Sequence, residues 1–105
     1  MKQYDICLIN LDSTISTEIR KTRNCLIISP DEMNDVISTV VIAPLTFHSP
    51  PYPTRVPLTF QGKSGYIVLD QVRTIDQARV VKKLGKIGTH TANKVKSVLF
   101  EMLVQ

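Results

Sequence analysis

Apolar residues in this chain come in short runs separated by clusters of Asp, Ser, Thr, Gly and Pro. Such punctuation reads as strands and turns rather than long helices. Tyr4–Leu11 carries Ile6, Cys7, Leu8 and Ile9 and stops at Asp12-Ser13-Thr14, a group of turn formers. Its continuous apolar stretch predicts a strand buried on both faces for part of its length. Ser13–Thr22 reads as a polar loop too long for a tight hairpin, and loops of that length tend to carry function. Cys25–Ser29 reads as a second strand stopped by Pro30, and Asp31–Asp35 as a polar turn. Val36–Ala43, rich in β-branched residues, reads as a third strand closed by Pro44.

His48–Pro53 holds three prolines and must be extended. Arg55–Phe60 follows as a fourth strand, Gln61–Gly65 as a turn, and Tyr66–Leu69 as a fifth strand that Asp70–Asp76 leaves. Val80, Val81, Leu84 and Ile87 fit a helical period, but Gly85 and the β-branched pair favour a strand over Ala78–Ile87, after a short turn. The last segment differs. Ala92, Val95, Val98, Leu99, Met102 and Leu103 recur on one helical face, with Thr89 or Thr91 as N-cap. Five or six short strands and one amphipathic helix predict a small, strongly curved antiparallel sheet, with the helix covering part of it.

At 105 residues the chain reads as one domain, 1–105, with a modest core that oligomerisation would help. Thirteen Lys and Arg against nine Asp and Glu leave a formal charge of +4, which suits a phosphate-rich partner. Cys7 and Cys25 sit inside apolar runs and read as small buried hydrophobes, not as a disulfide framework. His48 and His90 lie far from both, so no zinc spacing arises. Neither a leader nor a membrane span is expected, and a soluble, cytoplasmic protein is.

Three segments place polar groups at the ends of apolar strands. They are Thr17-Glu18-Ile19-Arg20-Lys21-Thr22-Arg23, Ile42-Ala43-Pro44-Leu45-Thr46 and Leu69-Asp70-Gln71-Val72-Arg73-Thr74-Ile75-Asp76. In this order they resemble the MazF/PemK family of toxin endoribonucleases, and the resemblance covers nearly the whole chain. It implies a small SH3-like antiparallel β-barrel with a C-terminal helix, and a homodimer that binds single-stranded RNA across its interface. It also implies metal-free, sequence-specific cleavage to 2′,3′-cyclic phosphate and 5′-hydroxyl ends, and a MazE-like acidic antitoxin that blocks the groove. No cofactor and no metal are expected.

Metal-free cleavage needs a base for the ribose 2′-hydroxyl, a cation or donor for the phosphate, and an acid for the 5′-oxygen. Arg23 matches the family's catalytic arginine, and its five fixed donors suit a phosphate. Asn24 replaces the proline that normally follows it. Thr46 matches the family's active-site threonine. Glu18 matches the glutamate of the first loop, where some relatives carry a histidine just before it; here that residue is Thr17. Asp70 matches an aspartate that one branch uses as base beside an arginine two positions earlier; here that position is Val68. Either Glu18 or Asp70 can be the base.

Arg20, Lys21, Gln71 and Arg73 are candidate substrate contacts, and Phe47, His48 and Tyr52 are candidates for stacking on bases. Lys63, Lys82, Lys83 and Lys86 are further candidates for guiding the RNA backbone. Two other readings stay open: a relative that binds RNA or antitoxin without cutting, and a gyrase-binding toxin of the CcdB type. The second would want a C-terminal tryptophan, and this chain has none.

Overall fold

The computed structural model describes residues 1–11 and 22–104. Residues 13–21 of the predicted loop, Glu18, Arg20 and Lys21 among them, lie outside these, while Thr22, also placed in that loop, opens the second strand. Among the described residues seven strands form one sheet: β1 (Asp5–Asn10), β2 (Thr22–Ile27), β3 (Thr39–Thr46), β4 (Arg55–Phe60), β5 (Lys63–Val68), β6 (Arg73–Asp76) and β7 (Val80–Lys86). A one-turn helix α1 (Asp31–Asn34) lies between β2 and β3, and helix α2 (Thr89–Leu103) closes the described chain. The strand order is β4-β5-β3-β2-β1-β7, with β6 also pairing β3, and every ladder is antiparallel. The sheet curls into a half-barrel with a helix at its C-terminal end, the small mainly β architecture expected from the sequence.

Several local expectations shift. Asp31–Asp35 contains a helical turn rather than a simple polar turn. Asp70–Asp76 does not leave the sheet: a 3₁₀ turn at Leu69–Gln71 leads into β6, whose Ile75 and Arg73 pair with Val40 and Ile42. The helix is capped by the backbone of Gly88 without a side-chain bond, so neither Thr89 nor Thr91 is the N-cap. The predicted turn at Gln61–Gly65 shrinks to Gln61 and Gly62, both at positive φ (52° and 78°), which is the backbone of a tight two-residue hairpin.

The largest correction concerns Pro44. It does not close β3; the strand runs through it to Thr46. On one flank β3 pairs with β6 over Thr39–Ile42 and with β5 over Leu45–Thr46. Pro44 lies in the gap between those two ladders, where a missing amide donor disturbs neither.

Strand side chains alternate between faces, and both faces of β1–β2–β3 are apolar. Ile6, Leu26, Ala43 and Leu45 point one way, and pack with Val56, Ile67, Leu69 and Val95 of α2. Cys7, Ile9, Cys25, Ile27, Val40, Ile42 and Ile75 form a second cluster on the other face. This double burial explains the continuous apolar runs in the sequence.

Buried polar groups in the connections are satisfied. Ser29 Oγ donates to Asn34 Oδ1 (2.6 Å) and accepts from the Val41 amide (3.0 Å), while Asn34 Nδ2 donates to the Ser29 carbonyl (3.0 Å). The Gln77 side-chain amide reaches the carbonyls of Asn34 (2.8 Å), Ile37 (2.9 Å) and Thr39 (3.3 Å). The buried Asp5 carboxylate accepts from the Lys2 amide (2.8 Å) and faces Lys83 Nζ at 3.4 Å.

Cys7 and Cys25 are direct cross-strand partners, and both are free and fully buried. Burial pushes the Cys25 thiol up to about 12, against the opposing pull of Arg23, and pushes Cys7 up as well. The reactive thiolate is therefore scarce at neutral pH. Alkylating reagent should leave both cysteines unmodified in the folded protein and label both after denaturation, as mass spectrometry would show. Rapid labelling without denaturant would mean that β1 and β2 part readily.

Candidate functional site

The second apolar cluster ends where polar residues take over the same strand faces. The β2–β3 ladder runs from Ile27↔Ile42 to Cys25↔Pro44. Extended by two residues, that register sets Arg23 opposite Thr46, so both share the face that carries Cys25 and Ile42. The ladder opens at this end, and Arg23 Nη2 donates to the Leu45 carbonyl at 2.8 Å across the opening. The guanidinium is thereby tied to β3 by one of its five donors.

Across β3 lies β5, with Thr46↔Tyr66 in register, and beyond it β4, with Arg55↔Val68. Arg23, Thr46, His48, Arg55, Val68 and Gln71 line a cavity of about 230 Å³. Arg23, Thr46 and His48 also line an open groove of about 760 Å³, continued by Phe47, Lys63 and Asn24. Cavity and groove share three residues and form one continuous concave surface.

The Thr46 hydroxyl is held within its own turn. It donates to the His48 carbonyl at 3.1 Å and accepts from the His48 amide at 3.3 Å. Phe47, partly exposed, stands over Gly65 and carries Lys63 Nζ 5.6 Å from its ring centre. The groove thus combines an aromatic face with a cation beside it. Gly65 is required here: a Cβ would stand 2.5 Å from the Thr46 carbonyl oxygen and 2.8 Å from Phe47 Cδ1.

Asp70 does not line the cavity itself but is held by Arg55, which does. Arg55 Nε donates to Oδ1 at 3.2 Å and Nη2 to Oδ2 at 3.3 Å, while Thr54 Oγ1 donates to Oδ1 at 3.0 Å. The hydrogen bond from Arg55, helped by that from Thr54, holds the carboxyl below the usual carboxylate range. Arg55 Nη1 bonds Ser49 Oγ, and the guanidinium carbon lies 4.8 Å from the centre of the Tyr52 ring.

Of the sequence candidates, Arg23, Thr46, His48 and Gln71 share the cavity, and Phe47 flanks it in the groove. Asp70 and Tyr52 join through Arg55. Arg73 stands apart: it pairs with Ile42 in β6 and lines neither surface. Glu18, Arg20 and Lys21 lie outside the described residues. Arg55 was not singled out in the sequence, because it opens an ordinary strand and its partner is 15 positions away. Among the described residues no group of three or more His, Cys, Asp or Glu could hold a metal ion.

The curled antiparallel half-barrel thus carries, at the open end of β2–β3, a groove lined by the cations Arg23 and Lys63, the Thr46 hydroxyl and the Phe47 ring. The chain belongs to the PemK-like, MazF-like toxins of type II toxin–antitoxin systems, whose family pattern it matches over residues 2–103. The endoribonuclease toxin MazF of Escherichia coli (strain K12) is 28% identical over 94 residues, spanning 89% of this chain and 85% of that protein.

Solved structures share the fold. An endoribonuclease in complex with its cognate antitoxin from a mycobacterial species superposes with a TM-score of 0.83 at 22% identity, covering 99% of this chain and 95% of that one. MazF from Deinococcus radiodurans gives 0.82 at 23% identity, covering 100% and 97%. No helix among the described residues is long and apolar enough to cross a membrane.

Proposed function

We propose that this toxin is a metal-independent endoribonuclease that cuts single-stranded RNA in a sequence-specific manner, leaving 2′,3′-cyclic phosphate and 5′-hydroxyl ends. The observation that carries this reading is the shared placement of Arg23 and Thr46 on one cavity wall, beside a groove built for a polyanion. Arg23 is an electrostatic clamp on the phosphate as charge builds on its oxygens. A guanidinium holds its protons too tightly to be a good proton donor, so the leaving oxygen takes its proton from water or through Thr46.

Of the two carboxylates that the sequence offers as base, Asp70 has both oxygens engaged and is held strongly ionised. A weakly basic, occupied carboxylate is badly suited to taking a proton. The base is therefore assigned to Glu18. Phe47 and His48 contact bases along the groove, and Lys63 attracts the backbone. The protein acts in the cytoplasm as a homodimer, and a small acidic antitoxin folds over the groove and closes it. The net charge of +4 favours both RNA and such a partner.

The test is digestion of a long single-stranded RNA by purified protein in EDTA, with the ends mapped. Discrete cuts with 5′-hydroxyl ends are expected. Intact RNA after incubation with folded, antitoxin-free protein would remove the catalytic reading and leave a binding protein in its place.

A further inference from the structure

Arg55 is more constrained than a surface ion pair requires. Its side chain is 15% exposed and touches three different groups: the Asp70 carboxylate by a two-pronged contact, Ser49 Oγ, and the Tyr52 ring. Exposed ion pairs add little stability, so holding a guanidinium this firmly points to a role in recognition. A guanidinium has five N–H groups. Asp70 takes one from Nε and one from Nη2, and Ser49 takes one from Nη1. One N–H on Nη1 and one on Nη2 have no acceptor among the described residues.

The cavity gives those donors a destination. Arg55 and its cross-strand partner Val68 both line it, together with Arg23 and Thr46. Two guanidinium groups against the single carboxylate of Asp70 leave one unit of positive charge. That matches the single negative charge of one phosphodiester.

We propose that Arg55 is a substrate-contacting residue that binds an RNA phosphate in the cavity it shares with Arg23, with Asp70 as its positioning residue. The assignment rests on the ribonuclease reading for its substrate class. Asp70 and Ser49 fix the fork, and the Tyr52 ring holds its plane. Much of the entropy cost of ordering a long side chain is thus met before RNA arrives. Asp70 then contributes through Arg55 and does not exchange protons with the ribose.

The experiment measures binding of a fluorescent 2′-deoxy single strand, which lacks the attacking hydroxyl and is not cut, over a range of salt concentrations. Each phosphate contact on a single strand contributes about 0.7 to the slope of log K against log salt. Arg55→Gln should lose about that much slope. Lys96→Gln, an exposed change on α2 outside the cavity, should lose none. The exchanged pair Arg55→Val with Val68→Arg keeps a guanidinium on the same strand face and should recover the slope.

Cleavage by the same proteins separates the two readings. Arg55→Gln should lower kcat/KM about a hundredfold, the loss expected for one transition-state donor. If wild type leaves RNA intact while Arg55→Gln still loses slope, the ribonuclease reading fails and the phosphate contact stands. If folded Arg55→Gln keeps the wild-type slope, the assignment is wrong. Should Arg55→Gln not fold, the exchanged pair decides: a wild-type slope supports the contact, and a reduced one overturns it.

Discussion

Replacing Arg23 with alanine should lower RNA cleavage by about a hundred- to a thousandfold while the protein stays folded. The size of the loss follows from position. Arg23 lies near the start of β2, paired with Ile9 of β1 but beyond Cys25, the last residue that β2 pairs with β3, and its guanidinium spans that opening to the Leu45 carbonyl. Alanine there removes the positive charge proposed to clamp the phosphate and breaks that one hydrogen bond. The bond is part-buried and single, so the folding cost should be about 1 kcal/mol.

Lysine at the same position keeps a positive charge but lacks the planar fork, and should recover only part of the activity. Steady-state kinetics beside a thermal melt would check both. Equal cleavage by Arg23→Ala and wild type would move the catalytic cation elsewhere.

The second large effect should come from a residue with no functional group. Gly65→Ala puts a methyl carbon against the Thr46 carbonyl oxygen at 2.5 Å and the Phe47 ring at 2.8 Å. The first contact is with backbone, so no rotation of a side chain relieves it. Either β5 shifts away from β3, or the end of β3 moves and takes Thr46 with it. Overpacking of this kind costs about 1–3 kcal/mol. A displacement of about 1 Å at a catalytic group can cost about a hundredfold in rate.

The variant should therefore melt earlier and cut far less. Gly62→Ala gives the contrast. Gly62 has open space around it but a φ of 78°, so its alanine strains the hairpin without pressing on the site. That variant should lose stability and keep its cleavage rate. Parallel losses of stability and activity in both variants would show that folding, and not site geometry, governs the rate.

The sequence shows the strand-and-helix pattern well because most runs are apolar on both faces or bounded by prolines. It misplaces β3 because a proline ordinarily ends a strand, and the exception depends on β6 and β5 dividing one flank of β3 between them. No local pattern encodes that division. It also hides β6, because Arg73–Asp76 is short and partly polar, and becomes a strand only by pairing with Thr39–Ile42.

The site divides in the same way. Arg23, Thr46 and Asp70 stand in recognisable segments, and their resemblance to a known family brings them forward. Arg55 has no such segment. Its importance comes from the register Arg55↔Val68, which carries it from the start of a strand to the cavity wall, and register is set by tertiary pairing. Asp70 changes meaning for the same reason: alone it reads as a free carboxylate, while beside Arg55 it is an anchored counter-ion.

The two apolar clusters on opposite faces of the central strands have a consequence for how the chain finds its native pairing. In a sheet wetted on one face, a strand that slips by one residue throws its apolar set into water, and the slip corrects itself. Here Ile6 and Cys7, or Leu26 and Cys25, are both buried neighbours on opposite faces. A slipped strand would exchange one dry environment for another and meet only a small penalty. Discrimination then falls to the few directional polar anchors: the Ser29–Asn34–Val41 bonds, the three carbonyls gathered by Gln77, and the buried Asp5. These lie at the opposite end of β2 and β3 from the cavity, yet they keep Arg23 on the same face as Thr46. Misfolded forms of this toxin should accordingly be compact, well buried and inert, with Arg23 on the wrong side of the sheet.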